Sequence, residues 1–192
     1  MSSMNEENEK KLVRRTLRGE KKAFEMLVRN YQQSLLNYIG RMVGERELAL
    51  DFTQEVFVRA YASLRSFDPR YKFSAWLFKI ASNLIIDHWR KKKIPTFSLS
   101  EPLDADGEGL TLEIPDNEPS VVRKFELAEL RKKIDWALEQ IPACLRELFV
   151  WRHANGLSYE EMAEIKDLPV GTVKNRVYQA KEAIRELLET KP

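Results

Sequence analysis

The chain of 192 residues is poor in metal-binding and redox side chains, with one cysteine, Cys144, and two histidines. A single thiol excludes an intramolecular disulfide, and two histidines with one thiol hardly supply the four ligands of a structural zinc site. We therefore predict no metal site and no other cofactor. The near absence of cysteine also favours a reducing cytoplasm as the setting.

Long apolar runs are missing as well. No stretch approaches the roughly 20 apolar residues that span a membrane. The N-terminus is polar and charged and lacks the apolar core of a signal peptide. These absences predict no direct membrane insertion. Glycine is scarce, with 7 residues, and few segments alternate apolar with polar residues, so the chain is expected to be a soluble, all-α protein.

Positive charge is absent from one segment and concentrated in another, although the net charge is only +2. Residues 94–122 hold no lysine or arginine but seven acids. Residues 72–93 hold one acid, Asp87, and a run of bases: Lys72, Lys79, Arg90, Lys91, Lys92 and Lys93. Because the acidic segment repels phosphates, we expect nucleic acid to meet the basic segment and not the acidic one.

The acidic segment also divides the chain. Residues 95–120 show little periodicity and contain four prolines and two glycines: Pro95, Pro102, Pro115, Pro119, Gly107 and Gly109. Such composition predicts an extended linker. The expected organisation is two small helical domains, residues 1–94 and 121–192, joined by this acidic linker.

A helix-turn-helix is predicted near the C-terminus. Ser158 and Glu161 have the spacing of a capping box, which starts one helix, and Pro169 suits the first turn of the next. Apolar residues recur at helical spacing in the second helix and are expected to face the core: Val170, Val173, Val177, Ala180, Ile184 and Leu187. The opposite face carries small, amide and basic side chains that suit a major groove. An ordinary helical hairpin with a solvated face is the alternative.

A helix predicted over about 45–67 has an acidic and amide outer face. It turns Asp51, Gln54 and Glu55 outward, beside the apolar Val58 and Ala62. Exposed apolar residues beside polar ones are typical of a docking surface for a partner. A solvated helix face is the alternative.

A further helix is predicted over about 74–93. Its expected buried residues are Phe73, Leu77, Ala81, Leu84 and His88. One flank combines bases, which suit phosphates, with an amide and an aromatic ring, which suit unpaired bases. Trp76 on this flank fits either base stacking or the core. The bases Lys91–Lys93 fit either a nucleic-acid backbone or a solvated helix end.

These segments together resemble the extracytoplasmic-function subgroup of sigma-70 initiation factors of bacterial RNA polymerase. Ala23–Tyr31 is similar to the start of sigma region 2, and Asp51–Ala60 to its polymerase-binding helix. Phe67–Asn83 is similar to the segment that melts promoters and reads the −10 element. Leu157–Ala163 and Leu168–Arg176 are similar to the helix-turn-helix of sigma region 4. The blocks occur in the family's order across nearly the whole chain.

The resemblance implies a role for each surface. The second helix of the helix-turn-helix would read the −35 element through Gly171, Thr172, Lys174, Asn175, Arg176, Tyr178, Gln179 and Lys181. The loop 67–72 and the basic flank would hold a flipped base and the unpaired −10 strand through Phe67, Arg70, Lys72, Trp76, Lys79, Asn83, Asp87 and Arg90. The outer face of the 45–67 helix would dock on a coiled coil of the polymerase β′ subunit through Asp51, Gln54, Glu55 and Val58.

The resemblance also implies partners and a location. Region 4 would grip the β-subunit flap through apolar surface that we do not assign to residues. Relatives are usually held by an anti-sigma protein, often at the inner membrane. The chain is thus expected in the cytoplasm, at the nucleoid when active. Two positions depart from the common pattern: Lys166–Asp167 predicts a less tight turn, and Asn175 predicts a different base preference.

Two other classes of protein compete with this interpretation. A DNA-binding regulator could use the same helix-turn-helix without joining polymerase, but it has no need of the 51–62 face. An enzyme acting on nucleic acid would need clustered carboxylates, metal-ligand spacing, a nucleophile beside a base or a phosphate loop. The sequence shows none of these patterns, so we predict no catalytic residues and no enzyme activity.

Overall fold

A computed structural model describes residues 6–92 and 121–190, and all of the elements in these two ranges are helical. The first four are α1 (Glu6–Leu17), α2 (Lys21–Val43), α3 (Arg46–Ser63) and α4 (Phe73–Lys92). A 3-10 turn, Leu64–Ser66, follows α3. The last four are α5 (Val121–Gln140), α6 (Ala143–His153), α7 (Tyr159–Lys166) and α8 (Val170–Thr190). The all-α prediction is confirmed. The predicted linker lies outside the described residues.

The helices form two compact units, α1–α4 and α5–α8. In the N-terminal unit α2, α3 and α4 pack against one another, and α1 packs on α2. Fully buried Leu27, Tyr38 and Leu77 lie in its core. Burial of such large apolar side chains, each on the order of 1.5–3 kcal/mol, is what holds short helices together in water.

In the N-terminal unit, α3 and α4 bury residues on more than one face. On α3, Ala49, Val56 and Ala60 are buried opposite the outer face, and Phe57 beside them is buried as well. On α4, Phe78 and Ile85 are buried in addition to the predicted set, because α4 packs against both α2 and α3.

His88 is half-buried rather than enclosed, with its ring 5.2 Å from the ring of Phe52. The prediction of a packed histidine is therefore confirmed only in part. The helix predicted to extend to Phe67 ends earlier, at Ser63, and continues as the 3-10 turn.

The C-terminal unit is built on α8, which contacts α5, α6 and α7. Trp151 of α6 and Met162 of α7 are fully buried. The α6 helix is followed by Gly156, whose φ of 70° lies in the left-handed region that favours glycine. The backbone N–H of Leu157 then donates to the carbonyl of Trp151 at 3.0 Å, which turns the chain toward α7.

Candidate nucleic-acid interface

The first helix of the helix-turn-helix begins at the predicted capping box. The backbone N–H of Glu161 donates to Ser158 Oγ at 3.1 Å, and the N–H of Ser158 donates to Glu161 Oε2 at 2.6 Å. Two otherwise unpaired backbone donors are satisfied in this way, so the direction of α7 is set from its first turn.

The turn between the two helices is tight. Asp167 has a φ of 52°, in the left-handed region, and the backbone N–H of Leu168 donates to the carbonyl of Ala163 at 2.9 Å. This is the hydrogen-bond pattern of a Schellman turn, which an aspartate adopts more readily than most residues because its short side chain tolerates the left-handed region. The expectation that Lys166–Asp167 loosens the turn was therefore wrong.

The second helix turns one face into the core, as predicted. Val173, Val177, Ala180 and Ile184 are buried, while Val170 and Leu187 at its two ends are half-buried. The N–H groups of Thr172 and Val173 donate to the carbonyl of Pro169, so the proline immediately precedes the helix.

The opposite face of α8 is open. Tyr178 is 62% exposed although it is a large aromatic residue. A Cβ atom added at Gly171 would meet no atom within 4 Å, and Gly171 does not have a positive φ, so neither packing nor backbone conformation requires glycine there. The other residues predicted on this face are exposed (Lys174, Asn175, Gln179 and Lys181) or half-buried (Thr172 and Arg176).

A largely buried ion pair ties α7 to α6. Lys166 Nζ lies 2.5 Å from Glu147 Oε2, with the two side chains only 18% and 8% exposed. The same ammonium lies 5.1 Å from the centre of the Trp151 ring. The lysine of the turn is thus part of the folded unit, a role that its charge alone did not indicate.

Arg152 and Tyr159 join the α8 surface, although neither was selected from the sequence. The guanidinium of Arg152 lies 4.7 Å from the centre of the Tyr159 ring, and the ammonium of Lys174 lies 5.6 Å from it. Arg152 Nη1 also donates to the carbonyl of Leu157 at 3.1 Å. No sequence pattern brings these three residues together, because they lie on three different helices.

His153 ends α6 near the same surface. Its ring lies 4.5 Å from the ring of Phe149. The pKa of His153 lies below its ordinary value because burial disfavours the imidazolium, and the cations Arg152 and Lys181 lower this pKa further. Both effects favour the neutral imidazole over the imidazolium.

In the N-terminal unit an aromatic cluster underlies the loop that precedes α4. Phe67 is only 7% exposed, and its ring centre lies 5.7 Å from that of Phe73 and 5.3 Å from that of Trp76. Tyr31 of α2 contacts Phe73 from the other side at 5.7 Å. Trp76 is half-buried, so one part of the ring packs in the cluster and the rest faces solvent.

The loop itself is closed by an ion pair. Both the backbone N–H of Arg70, at 2.9 Å, and its Nε, at 2.8 Å, donate to the carboxylate of Asp68. The guanidinium holds the pKa of Asp68 below its ordinary value. The Arg70 side chain is nonetheless well exposed.

The predicted flank of α4 is an open, mostly basic surface. Asp87 lies 3.6 Å from Arg90 and partly offsets its charge. The exposed members of the flank are Lys72, Lys79, Asn83, Asp87 and Arg90.

The outer face of α3 is exposed as predicted. Val58 is 63% exposed, an unusual position for a valine, and Asp51 and Gln54 are exposed on the same face. Glu55 is half-buried and accepts from Arg59 Nε at 2.7 Å. A groove of about 230 Å³ between α2 and α3 adjoins Gln54, lined also by Val28, Gln32, Gln33, Leu36, Leu50, Thr53 and Phe57.

Two features are absent from the part of the chain that the structure describes. Within residues 6–92 and 121–190, no helix has the length and apolar character needed to cross a membrane. The same part of the chain holds no cluster of histidine, cysteine and carboxylate side chains that could bind a metal ion.

Two helical units, one of them a helix-turn-helix with an open outer face, are typical of a DNA-binding transcription protein. Residues 27–94 match the family Sigma-70 region 2, and residues 131–184 match the family Sigma-70, region 4. The chain belongs to the sigma-70 family, in its extracytoplasmic-function group. It binds core RNA polymerase and DNA and serves in promoter recognition and transcription initiation.

Relatives match over almost the full chain. The RNA polymerase sigma-H factor of Pseudomonas aeruginosa is 34% identical, over 97% of this chain and 96% of that protein. The extracytoplasmic-function sigma factor SigW of Bacillus subtilis is 36% identical, over 93% and 96%. The sigma-E factor of Escherichia coli is 34% identical, over 90% of each chain.

Solved structures share the fold. The sigma factor RpoE of Bartonella quintana, solved with the anti-sigma factor NepR, has a TM-score of 0.67 at 26% identity, covering 89% of this chain and 99% of that chain. CnrH, solved with the cytosolic domain of CnrY, has a TM-score of 0.70 at 23% identity, covering 96% and 99%.

Proposed function

We propose that the outer face of α8 reads the −35 element. Gly171 is the observation that carries this assignment. A glycine in the middle of a helix costs about 0.5–1 kcal/mol relative to alanine, and in the first turn of α8 no atom within 4 Å of an added Cβ requires the small size of Gly171. Close approach of another molecule, such as the wall of a major groove, accounts for it.

The remaining residues of this face divide by chemistry. Lys174, Arg176 and Lys181 suit the phosphate backbone, where they add affinity without reading sequence. Thr172, Asn175 and Gln179 suit base edges, which carry the specificity. Tyr178, widely exposed, adds apolar contact in the groove.

We propose that the loop 67–72 and the flank of α4 hold the unpaired −10 strand. Because Phe67 is buried, we assign it to the floor of a base pocket and not to direct contact with the strand. The exposed part of Trp76 offers a stacking face. Arg70, Lys72, Lys79 and Arg90 offer charge to phosphates, and Asn83 and Asp87 offer polar contacts to bases.

We propose that the outer face of α3 docks on the β′ coiled coil. Its support is the pairing of exposed Val58 with the polar Asp51, Gln54 and Glu55, an apolar centre with a polar rim. A regulator that binds DNA alone has no use for this face. We also propose that the β flap contacts apolar surface of the C-terminal unit.

The functional division follows from these surfaces. We propose that residues 1–94 dock on polymerase and open the −10 region, that residues 95–120 link the two parts, and that residues 121–192 bind the −35 element. Extrusion of a base from the duplex costs a few kcal/mol, and stacking of that base on the protein recovers this cost. The chain therefore promotes promoter opening through binding energy and needs no catalytic group.

We further propose an anti-sigma partner and a cytoplasmic location. The similar RpoE of Bartonella quintana is solved with the anti-sigma factor NepR. A partner of this class would keep the chain from polymerase, in the cytoplasm or at the inner membrane, and its release would allow the chain to act at the nucleoid.

Run-off transcription with core polymerase over a random promoter library tests the assignment. We expect recovered promoters to share two separated elements, and Asn175→Ala to alter the preferred −35 sequence at a cost of about 1–3 kcal/mol for the lost base contact. Lys174→Met is the matched control, since loss of a phosphate contact weakens all promoters alike. Uniform weakening by Asn175→Ala would contradict the assignment of α8. A folded protein that bound promoter DNA but not core polymerase would instead be a regulator.

A further inference from the structure

Tyr159 carries two cations on one aromatic ring. The Arg152 guanidinium lies 4.7 Å from the ring centre and the Lys174 ammonium 5.6 Å from it. Both distances are within the roughly 6 Å at which a ring attracts a cation. The three residues come from the end of α6, the first turn of α7 and the outer face of α8.

The ring has a defined place because its surroundings are fixed. Tyr159 follows Ser158, and the capping box of Ser158 and Glu161 sets the backbone on either side of it. Arg152 is held at its other side by its hydrogen bond to the carbonyl of Leu157. Tyr159 is half-buried, so part of its ring packs in the unit and part remains available to Lys174.

Lys174, by contrast, is exposed and has a long flexible side chain. A free lysine loses rotamer entropy when it takes up one position on a phosphate. A ring that restrains the ammonium before binding reduces that loss, and so strengthens binding without touching the ligand.

We propose that Tyr159 is a positioning residue for DNA binding: its ring pre-orders Lys174 for a phosphate of the −35 element. The proposal rests on the proposed role of the α8 face. Tyr159 itself reads no base, so its effect on binding passes through Lys174 and is the same for all −35 sequences.

The test compares Tyr159→Leu with Tyr159→Phe, which keeps the ring and removes only the hydroxyl. Each variant is assembled with core polymerase, and binding to a promoter duplex selected by run-off transcription is measured over a range of salt concentrations. We expect Tyr159→Leu to weaken binding about two- to five-fold, the size of a cation–ring contact at an exposed site. Tyr159→Phe is expected to bind as the unaltered protein does. Tyr159→Met, which fills similar space without a ring, replaces the leucine variant if that variant does not fold.

Measuring the effect of Tyr159→Leu in a protein that already carries Lys174→Met distinguishes a positioning role of Tyr159 from a role in folding. Lys174→Met alone should reduce the slope of log affinity against log salt by roughly one unit, as expected for one lost phosphate contact. Adding Tyr159→Leu to it should weaken binding no further. A merely structural role for Tyr159 would weaken binding equally in both backgrounds, and this result would overturn the proposal.

Two other outcomes are informative. If Tyr159→Phe binds as weakly as Tyr159→Leu, the hydroxyl contacts DNA directly and positioning by the ring is wrong. If Lys174→Met leaves the salt slope unchanged, the proposed phosphate role of Lys174 fails, and the role of Tyr159 fails with it. If Lys174→Met reduces the salt slope but Tyr159→Leu does not change binding, only the inference about Tyr159 is overturned.

Discussion

Lys166 and Glu147 form an ion pair of 2.5 Å that joins the turn of the helix-turn-helix to α6. Both side chains are largely buried, and the ammonium also lies on the Trp151 ring at 5.1 Å. The pair therefore helps to hold α7 against α6. Lys166, which the sequence suggests is a solvent-exposed charge, is therefore a largely buried contact between two helices.

Removal of one partner should therefore be costly. We expect Lys166→Met to lower the free energy of unfolding by about 3–5 kcal/mol, because it removes a cation from the largely buried Glu147 carboxylate. The measurement is urea unfolding of the full chain followed by circular dichroism. The double variant Lys166→Met with Glu147→Leu should recover much of the loss, since it leaves no buried charge. A single variant as stable as the unaltered protein would show that the pair contributes nothing.

Gly171→Ala should separate folding from function. The alanine side chain has free space in the folded unit, and alanine favours a helix by up to about 1 kcal/mol over glycine. We therefore expect a higher melting temperature but weaker transcription from promoters that depend on the −35 element. Glu186→Ala, on an exposed position of α8 outside the proposed face, is the control and should leave transcription unchanged. Full activity of Gly171→Ala would show that DNA does not approach this residue closely.

Val58→Asp tests the docking face of α3. Val58 is 63% exposed, so a carboxylate there has no folding penalty from burial, but it would be desolvated in an apolar contact with polymerase. We expect affinity for core polymerase to fall by roughly ten-fold or more, as for the central residue of an interface. Leu17→Asp, at another exposed apolar position of the same unit, should bind normally. Equal loss in both variants would indicate a general effect on the fold.

The lowered pKa of His153 predicts that the stability of the C-terminal unit depends on pH. Its folded pKa is lowered from an ordinary value of 6.5, so below that pH the unfolded chain binds a proton that the folded unit does not. The free energy of unfolding should thus decrease as pH falls through 6.5 toward the lowered folded pKa.

Hydrogen exchange of α6 and α8 between about pH 5 and pH 8 measures this effect, after correction for intrinsic exchange rates. His153→Gln should remove this part of the pH dependence. His88→Gln changes the other histidine, which belongs to the N-terminal unit, and serves as the control. The same pH dependence in His153→Gln as in the unaltered protein would assign the effect to other groups.

Much of the fold could be predicted because its signals are local. The capping box at Ser158 and the proline before α8 each act within a few residues, and the structure confirms both. The open face of α8 followed from helical spacing alone. The assignment of that face to the −35 element depended on the resemblance and remains a prediction.

The sequence determined by itself that the chain is helical, where α7 and α8 begin, and which face of α8 is open, because capping and helical periodicity are properties of neighbouring residues. Only the tertiary structure decided the contacts between helices. In the structure Phe57 and Phe78 are buried, Lys166 pairs with Glu147, and Tyr159 lies beside Lys174. The sequence did not indicate these contacts, because burial and charge pairing depend on residues far apart in the chain.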